Sequence, residues 1–110
     1  MVSHAIRERY LRDTLPIRLG GLAADLARIV SFAENPMNHD AVTSLLEEGK
    51  YFAEWAAPDA PVDVQEALAQ VQASLAVWHR RWLSGRPEPL MRQEAHRWSD
   101  RLLELSGLAS

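Results

Sequence analysis

The chain has 110 residues, a net charge of −3, 47% hydrophobic and 25% charged residues, and no cysteine. This composition is ordinary for a globular protein and excludes disordered or low-complexity chains. The missing cysteine excludes disulfides, thiolate metal sites, iron–sulfur clusters and cysteine nucleophiles together.

Alanine and leucine number 16 and 15, against 12 for valine, isoleucine and threonine combined, so good helix formers outnumber the residues stiff at χ1. No stretch alternates apolar and polar residues over a useful length, and no strand is expected. The opening Met1–Arg7 stretch has no apolar leader core, and the longest apolar run is six residues, Leu19 to Ala24. Neither a signal peptide nor a membrane span is expected, and the expected compartment is the cytoplasm.

The first element is a short helix between Ser3 and Asp13, with Ile6 and Tyr10 facing inward. It either stands alone or runs into the next helix with a kink at Pro16. Thr14 is placed to cap the first long helix, with Pro16 in its first turn. That helix carries the seam Leu15, Leu19, Leu22, Leu26, Ile29, Ala33. Asn35-Pro36-Met37-Asn38 breaks the chain, and Asn38 or Asp40 is placed to cap the second helix, whose seam is Val42, Leu45/Leu46, Gly49, Phe52/Ala53, Ala56. A second break, Ala57 to Pro61, puts Asp59 at the cap of the third helix, whose seam is Val64, Leu68, Val71, Leu75, Trp78, Trp82. Gly85 and Gly107 fall where left-handed residues end the third and fourth helices. The last seam is Met91, Ala95, Trp98, Leu102, Leu105, and the core is expected to hold Trp78, Trp82 and Trp98.

Steps of three and four keep each seam on one helix face, and the short loops make successive helices antiparallel. The expectation is an all-α fold: an up-and-down antiparallel four-helix bundle with a short N-terminal helix, one domain over residues 1–110. A dimer of helical hairpins is the competing arrangement.

Charge is segregated along the chain. Residues 34–66 carry net −7, while the segments before and after each carry +2. An acidic middle section lying between basic neighbours gains diffuse attraction within the fold; the functional reading is a face for a basic partner or for a second copy.

Patterns that carry chemistry are absent. There is no Glu-x-x-His, no His-x-x-x-His and no Gly-x-Ser-x-Gly, so no metal, no cofactor and no catalytic residue is expected. His39 and His79 converge only through the antiparallel geometry. Arg92 and His96 stand one turn apart on the last helix, with a shorter spacing than the Arg/His pair of helical-bundle ribonucleases of the HEPN group. The piece His79-Arg80-Arg81-Trp82 is the one stretch resembling a nucleic-acid strip, and the wheel separates its residues, so nucleic acid is disfavoured.

Five residues stand out as interaction-surface candidates: Arg18, Asp25, Glu48, Tyr51 and Trp55. On the first long helix Arg18, Gly21, Asp25, Arg28 and Phe32 share a flank. Asp25 and Arg28 are spaced to pair, and a half-buried charge there requires an interhelical partner such as Glu48 or Glu54. Gly20-Gly21 costs helix stability, which points to close approach of another helix at Gly21, with a ligand groove as the other reading. On the second helix Ser44, Glu48, Tyr51 and Trp55 form the matching flank, with aromatics at a rim as protein interfaces favour. The functional expectation is a non-enzymatic protein-interaction module whose partner is another protein or itself. A small-molecule site between helices is the alternative, and RNA binding through the arginine-rich C-terminal half the second.

Overall fold

A computed structural model describes residues 3–108, which form five α-helices and two 3-10 turns with no strand. Met1 and Val2, part of the opening stretch expected to hold no leader, lie outside the described residues. Among the described residues no helix is long and apolar enough to cross a membrane.

Helix α1 spans His4–Arg12 and starts where the Ser3 hydroxyl accepts the Ile6 N–H at 3.2 Å. It ends because Asp13 and Thr14 are both extended, with ψ of 154° and 159°. The chain therefore breaks before α2 (Leu15–Phe32) rather than kinking at Pro16, which sits in the first turn where its missing N–H has no helical partner to lose.

Helix α3 (His39–Ala56) follows a 3-10 turn, Pro36–Asn38, whose Met37 N–H is held by the Asn35 side chain at 2.9 Å. Asn38 precedes α3 without capping it through its side chain and instead donates to the Phe32 carbonyl at 3.3 Å. Helix α4 (Val62–Leu83) begins after Pro61, not after Asp59. Asp59 closes a second 3-10 turn, Ala57–Asp59, and its carboxylate turns to Arg18. At the far end of α4, Gly85 N–H bonds the Trp82 carbonyl and Arg86 N–H the Arg81 carbonyl, with Gly85 at φ +77°. This is the Schellman pattern, and its left-handed residue is the glycine. Helix α5 (Met91–Ser106) ends at Gly107, φ +76°.

The end of α4 meets the start of α3, where Trp82 Nε1 donates to the His39 carbonyl at 3.2 Å and the two rings stack at 5.2 Å. The start of α5 meets the end of α2: Arg92 Nε donates to the Val30 carbonyl at 3.0 Å and Nη2 to Glu34 at 2.5 Å. Arg92 thus ties two helices together by capping a C-terminal carbonyl. Midway, the buried Ser99 hydroxyl donates to the Ala23 carbonyl at 2.8 Å. Helix α2 packs extensively on α3 and on α5, α3 packs on α4, and α4 meets α5 sparsely.

The core is built from the seams: Leu19, Leu22, Leu26 and Ile29 of α2, Val42 and Leu46 of α3, Leu68, Val71 and Leu75 of α4, and Leu102 of α5 are all at most 1% exposed. Of the three tryptophans expected inside, only Trp78 is buried; Trp82 and Trp98 are half-buried on the flanks. The glycines also differ from expectation. A Cβ at Gly21 would meet nothing nearer than Tyr10 Cε1 at 3.9 Å, whereas one at Gly49 would stand 3.1 Å from Leu75 Cδ1. Close helix approach therefore occurs at Gly49, between α3 and α4.

Candidate functional site

The five candidate residues separate into three places. Arg18 is buried, its Nε donating to the Asp13 carbonyl at 3.1 Å and its Nη1 to Asp59 at 3.0 Å. It locks the α1–α2 break to the turn after α3, and its interhelical partner is Asp59 rather than Glu48 or Glu54. It is a structural clamp with no part in a surface.

Asp25 is 2% exposed. Its Oδ1 accepts from Arg28 at 3.1 Å, the pairing the spacing implied, while Oδ2 has no hydrogen-bond donor. Across the interface, α3 brings the Glu48 carboxyl against it. Two ionised carboxylates offer only lone pairs to each other, so Oδ2 is left without a donor until one group holds a proton. Burial, then the hydrogen bond and charge of Glu48, push the Asp25 carboxyl up to about 8, against a smaller opposing pull from Arg28. Raised this far, the Asp25 carboxyl keeps its proton at neutral pH and can donate it toward Glu48.

Beside this pair runs a cleft of about 520 Å³ between α1, α2 and α3. Ile6 and Tyr10 of α1, Ile17 and Gly21 of α2, and Phe52 of α3 give it an apolar wall, while Arg28 and Glu48 stand at the carboxyl pair. Tyr10 closes the other end. Its ring stacks on Phe52 at 4.0 Å and 10°, and its hydroxyl is shared between the Arg18 carbonyl at 3.0 Å and the Phe52 carbonyl at 3.2 Å. Burial, offset in part by Arg18, holds its phenol well above the ordinary tyrosine value, so it stays a neutral donor.

Tyr51 and Trp55 form the third place, on the outer side of α3. Their rings lie 5.5 Å apart, Tyr51 is 36% exposed, and Trp55 is half-buried against Tyr10 and Phe52. The Arg7 guanidinium of α1 lies over the Trp55 ring at 5.8 Å. Shallow hollows flank these rings, and Glu54 borders both: one with Lys50, Tyr51 and His79, the other with Arg7, Leu11 and Pro58. Burial and then Lys50 lower the His79 pKa against the opposing pull of Glu47, so this histidine adds no charge to the face near neutral pH. Asp40, Glu54, Asp63 and Glu66, half of the eight carboxylates of the acidic segment, are exposed and form no ion pair among the described residues.

Other expectations resolve locally. His39 is occupied by Trp82, and no group of three or more His, Asp or Glu side chains among the described residues is arranged to hold a metal. His96 pairs with Asp100 at 3.7 Å, away from the helix-joining Arg92. A hollow on α5 is lined by Glu94, Arg97, Trp98 and Arg101, all from one helix, and no second element converges on it. Sequence reasoning missed the part played by Arg7 and by the Tyr10 hydroxyl. The inward position of Tyr10 was readable, but its acceptors lie 8 and 42 residues away.

No family model matches the chain, and no curated protein or solved structure is significantly similar to it.

Proposed function

We propose that the chain is a non-enzymatic interaction module, acting in the cytoplasm, that receives a basic segment of a partner protein on the outer face of α3. The observation that carries this reading is the Arg7 guanidinium over Trp55. The face already holds one cation against an aromatic ring, and beside it Tyr51 and Glu54 offer a second ring and an unpaired carboxylate for another. Aromatic anchors with acidic neighbours are the chemistry that takes arginine and lysine side chains from a partner.

The scaffold behind this face reads as an up-and-down antiparallel bundle of α2 to α5, with α1 added across one end. Arg81, Arg92 and Arg101 of the C-terminal half are each engaged by a carboxylate, which disfavours the RNA reading.

The test is a photo-crosslinking residue at position 51, with a control at the exposed Arg97 of α5, in the chain expressed in its host. The expected product is a discrete adduct at position 51 whose cross-linked segment is rich in Lys or Arg and whose yield falls with salt and in Glu54→Gln. An adduct at twice the chain mass identifies the partner as a second copy presenting its arginines. Equal labelling from both positions, or an adduct unmoved by Glu54→Gln, overturns the reading.

A further inference from the structure

Helix α4 meets α5 sparsely, although α2 packs extensively on α5 and α3 on α4. A groove is left along that edge, formed by two hollows of about 330 and 380 Å³ that Glu94 borders in common. The first has Ala73, Ser74 and Val77 in its α4 wall; the second lies on α5 against Glu94, Arg97, Trp98 and Arg101. Along α5 the residues beside the groove recur at steps of three and four: Leu90 just before the helix, then Glu94, Trp98, Arg101 and Leu105. That spacing puts them on one flank, next to the buried face of Met91, Ala95 and Leu102. Trp98 and Leu105 are only half-buried, and Leu90 and Val77 are exposed, so no described element covers the apolar part of this flank. Glu94 is half-buried and forms no ion pair among the described residues.

The order of residues along the flank says what covers it. Leu90 and Leu105 are its outer pair, Glu94 and Arg101 its inner pair, and Trp98 stands near the centre. Two copies of α5 laid antiparallel about a two-fold axis therefore set leucine against leucine and, twice over, Glu94 of one copy against Arg101 of the other. Parallel packing would set each charge against its like. We infer that this flank of α5 is the interface of a homodimer, with Trp98 meeting Trp98 beside the axis and a Glu94–Arg101 ion pair on either side of it. Within one chain Arg101 pairs with Glu104, but both are more than half exposed, so exchanging that contact costs little. Arg97 is exposed and lies at the rim, where solvent screens it from its own copy. A single helix pair is at the small end of specific interfaces, so the dimer is reversible, with an expected Kd on the order of 1–100 µM.

Sedimentation equilibrium of the chain across that concentration range, with charge reversals, is the test. Glu94→Arg and Arg101→Glu each turn both ion pairs into like-charge contacts and are expected to raise the Kd at least about tenfold. The double variant Glu94→Arg/Arg101→Glu is expected to restore the dimer, and so is mixing the two single variants, whose charges complement each other. Positions 94 and 101 are two turns apart, about 10 Å along one helix, too far to pair within a chain, so this rescue reads a contact between copies. Should a reversal unfold the chain, cysteines decide the matter, since the chain has none of its own. Arg97→Cys, close to the axis, is expected to give a disulfide-linked dimer on mild oxidation, whereas Leu90→Cys, far from it, is not. A chain that stays monomeric at millimolar concentration, a dimer unmoved by either reversal, or no rescue in both the double variant and the mixture overturns the proposal. None of these positions lies on α3, so the docking face around Tyr51 stands or falls separately. A photo-adduct from position 97 then contains α5 of a second copy and is unmoved by Glu54→Gln, which sets it apart from the product at position 51.

Discussion

Replacing Asp25 with asparagine keeps the shape of the side chain and removes its charge. The new amide donates to the Glu48 carboxylate from one atom and accepts from Arg28 at the other, so both existing neighbours are served. The magnitude follows from linkage. An ordinary aspartate titrates near 4 when the chain is unfolded, whereas burial and Glu48 raise this one to about 8 in the folded protein. Between those values the folded state holds a proton that the unfolded state has released, so the contribution of this group to stability is greatest below about pH 4 and declines as pH rises toward 8. The slope is about 1.4 kcal/mol per pH unit for one proton, which makes the cumulative cost at pH 7 on the order of 4 kcal/mol. Asp25→Asn removes that dependence. Urea unfolding followed by tryptophan fluorescence at intervals from pH 4 to 9 is expected to show a falling wild-type curve, a flatter variant, and a variant more stable than wild type at pH 7. A wild-type profile no steeper than that of the variant, or a variant destabilised at pH 7, refutes the account of a protonated Asp25.

The same unfolding assay tests four further positions. Tyr10→Phe removes the hydroxyl shared by the Arg18 and Phe52 carbonyls and is expected to cost about 1 kcal/mol, with hydrogen exchange accelerating in α1 before the other helices. Gly21→Ala is expected to stabilise by about 0.5–1 kcal/mol, because the methyl group has room and the helix gains propensity. Gly49→Ala should show no such gain, since its Cβ must displace Leu75, and larger residues there should cost about 1–3 kcal/mol through overpacking. Arg18→Met is expected to lower stability by about 1–3 kcal/mol, more than Asp59→Asn, because Asp59 is largely solvated whereas the buried guanidinium also holds the Asp13 carbonyl.

The helices were legible because apolar residues three and four apart have only one way to reach a common core. Thr14, Gly85 and Gly107 marked ends because extended or left-handed backbone suits those residue types. Pairings across helices were less legible, since they depend on rotation and axial offset rather than on spacing within one element. Arg18 was recognisably in need of a partner, yet Glu48, Glu54 and Asp59 were all within the acidic segment, and the 3-10 turn selected Asp59. The approach of Asp25 to Glu48 ran against the expectation that a buried charge meets its opposite. A like-charged neighbour becomes tolerable only once a proton is counted, and protons are not written in a sequence. Trp82 and Trp98 followed the seams but stay half-buried, Trp82 near the end of α4 where its indole N–H reaches the His39 carbonyl, while Trp78 fills the core with leucines and valines.

The bond between Ser99 and Ala23 spans 76 residues, whereas those from Gln72 to Lys50 and from Gln65 to Ala57 span 22 and 8. Helices α2, α3 and α4 meet their neighbours through short loops, but α5 must return to α2 across everything between them. Loop-closure entropy places that return late in folding, after the local hairpins have formed. In a stopped-flow chevron, Ser99→Ala should then speed unfolding and leave the refolding arm nearly unchanged, while Leu46→Ala, in the buried face of α3, should slow refolding.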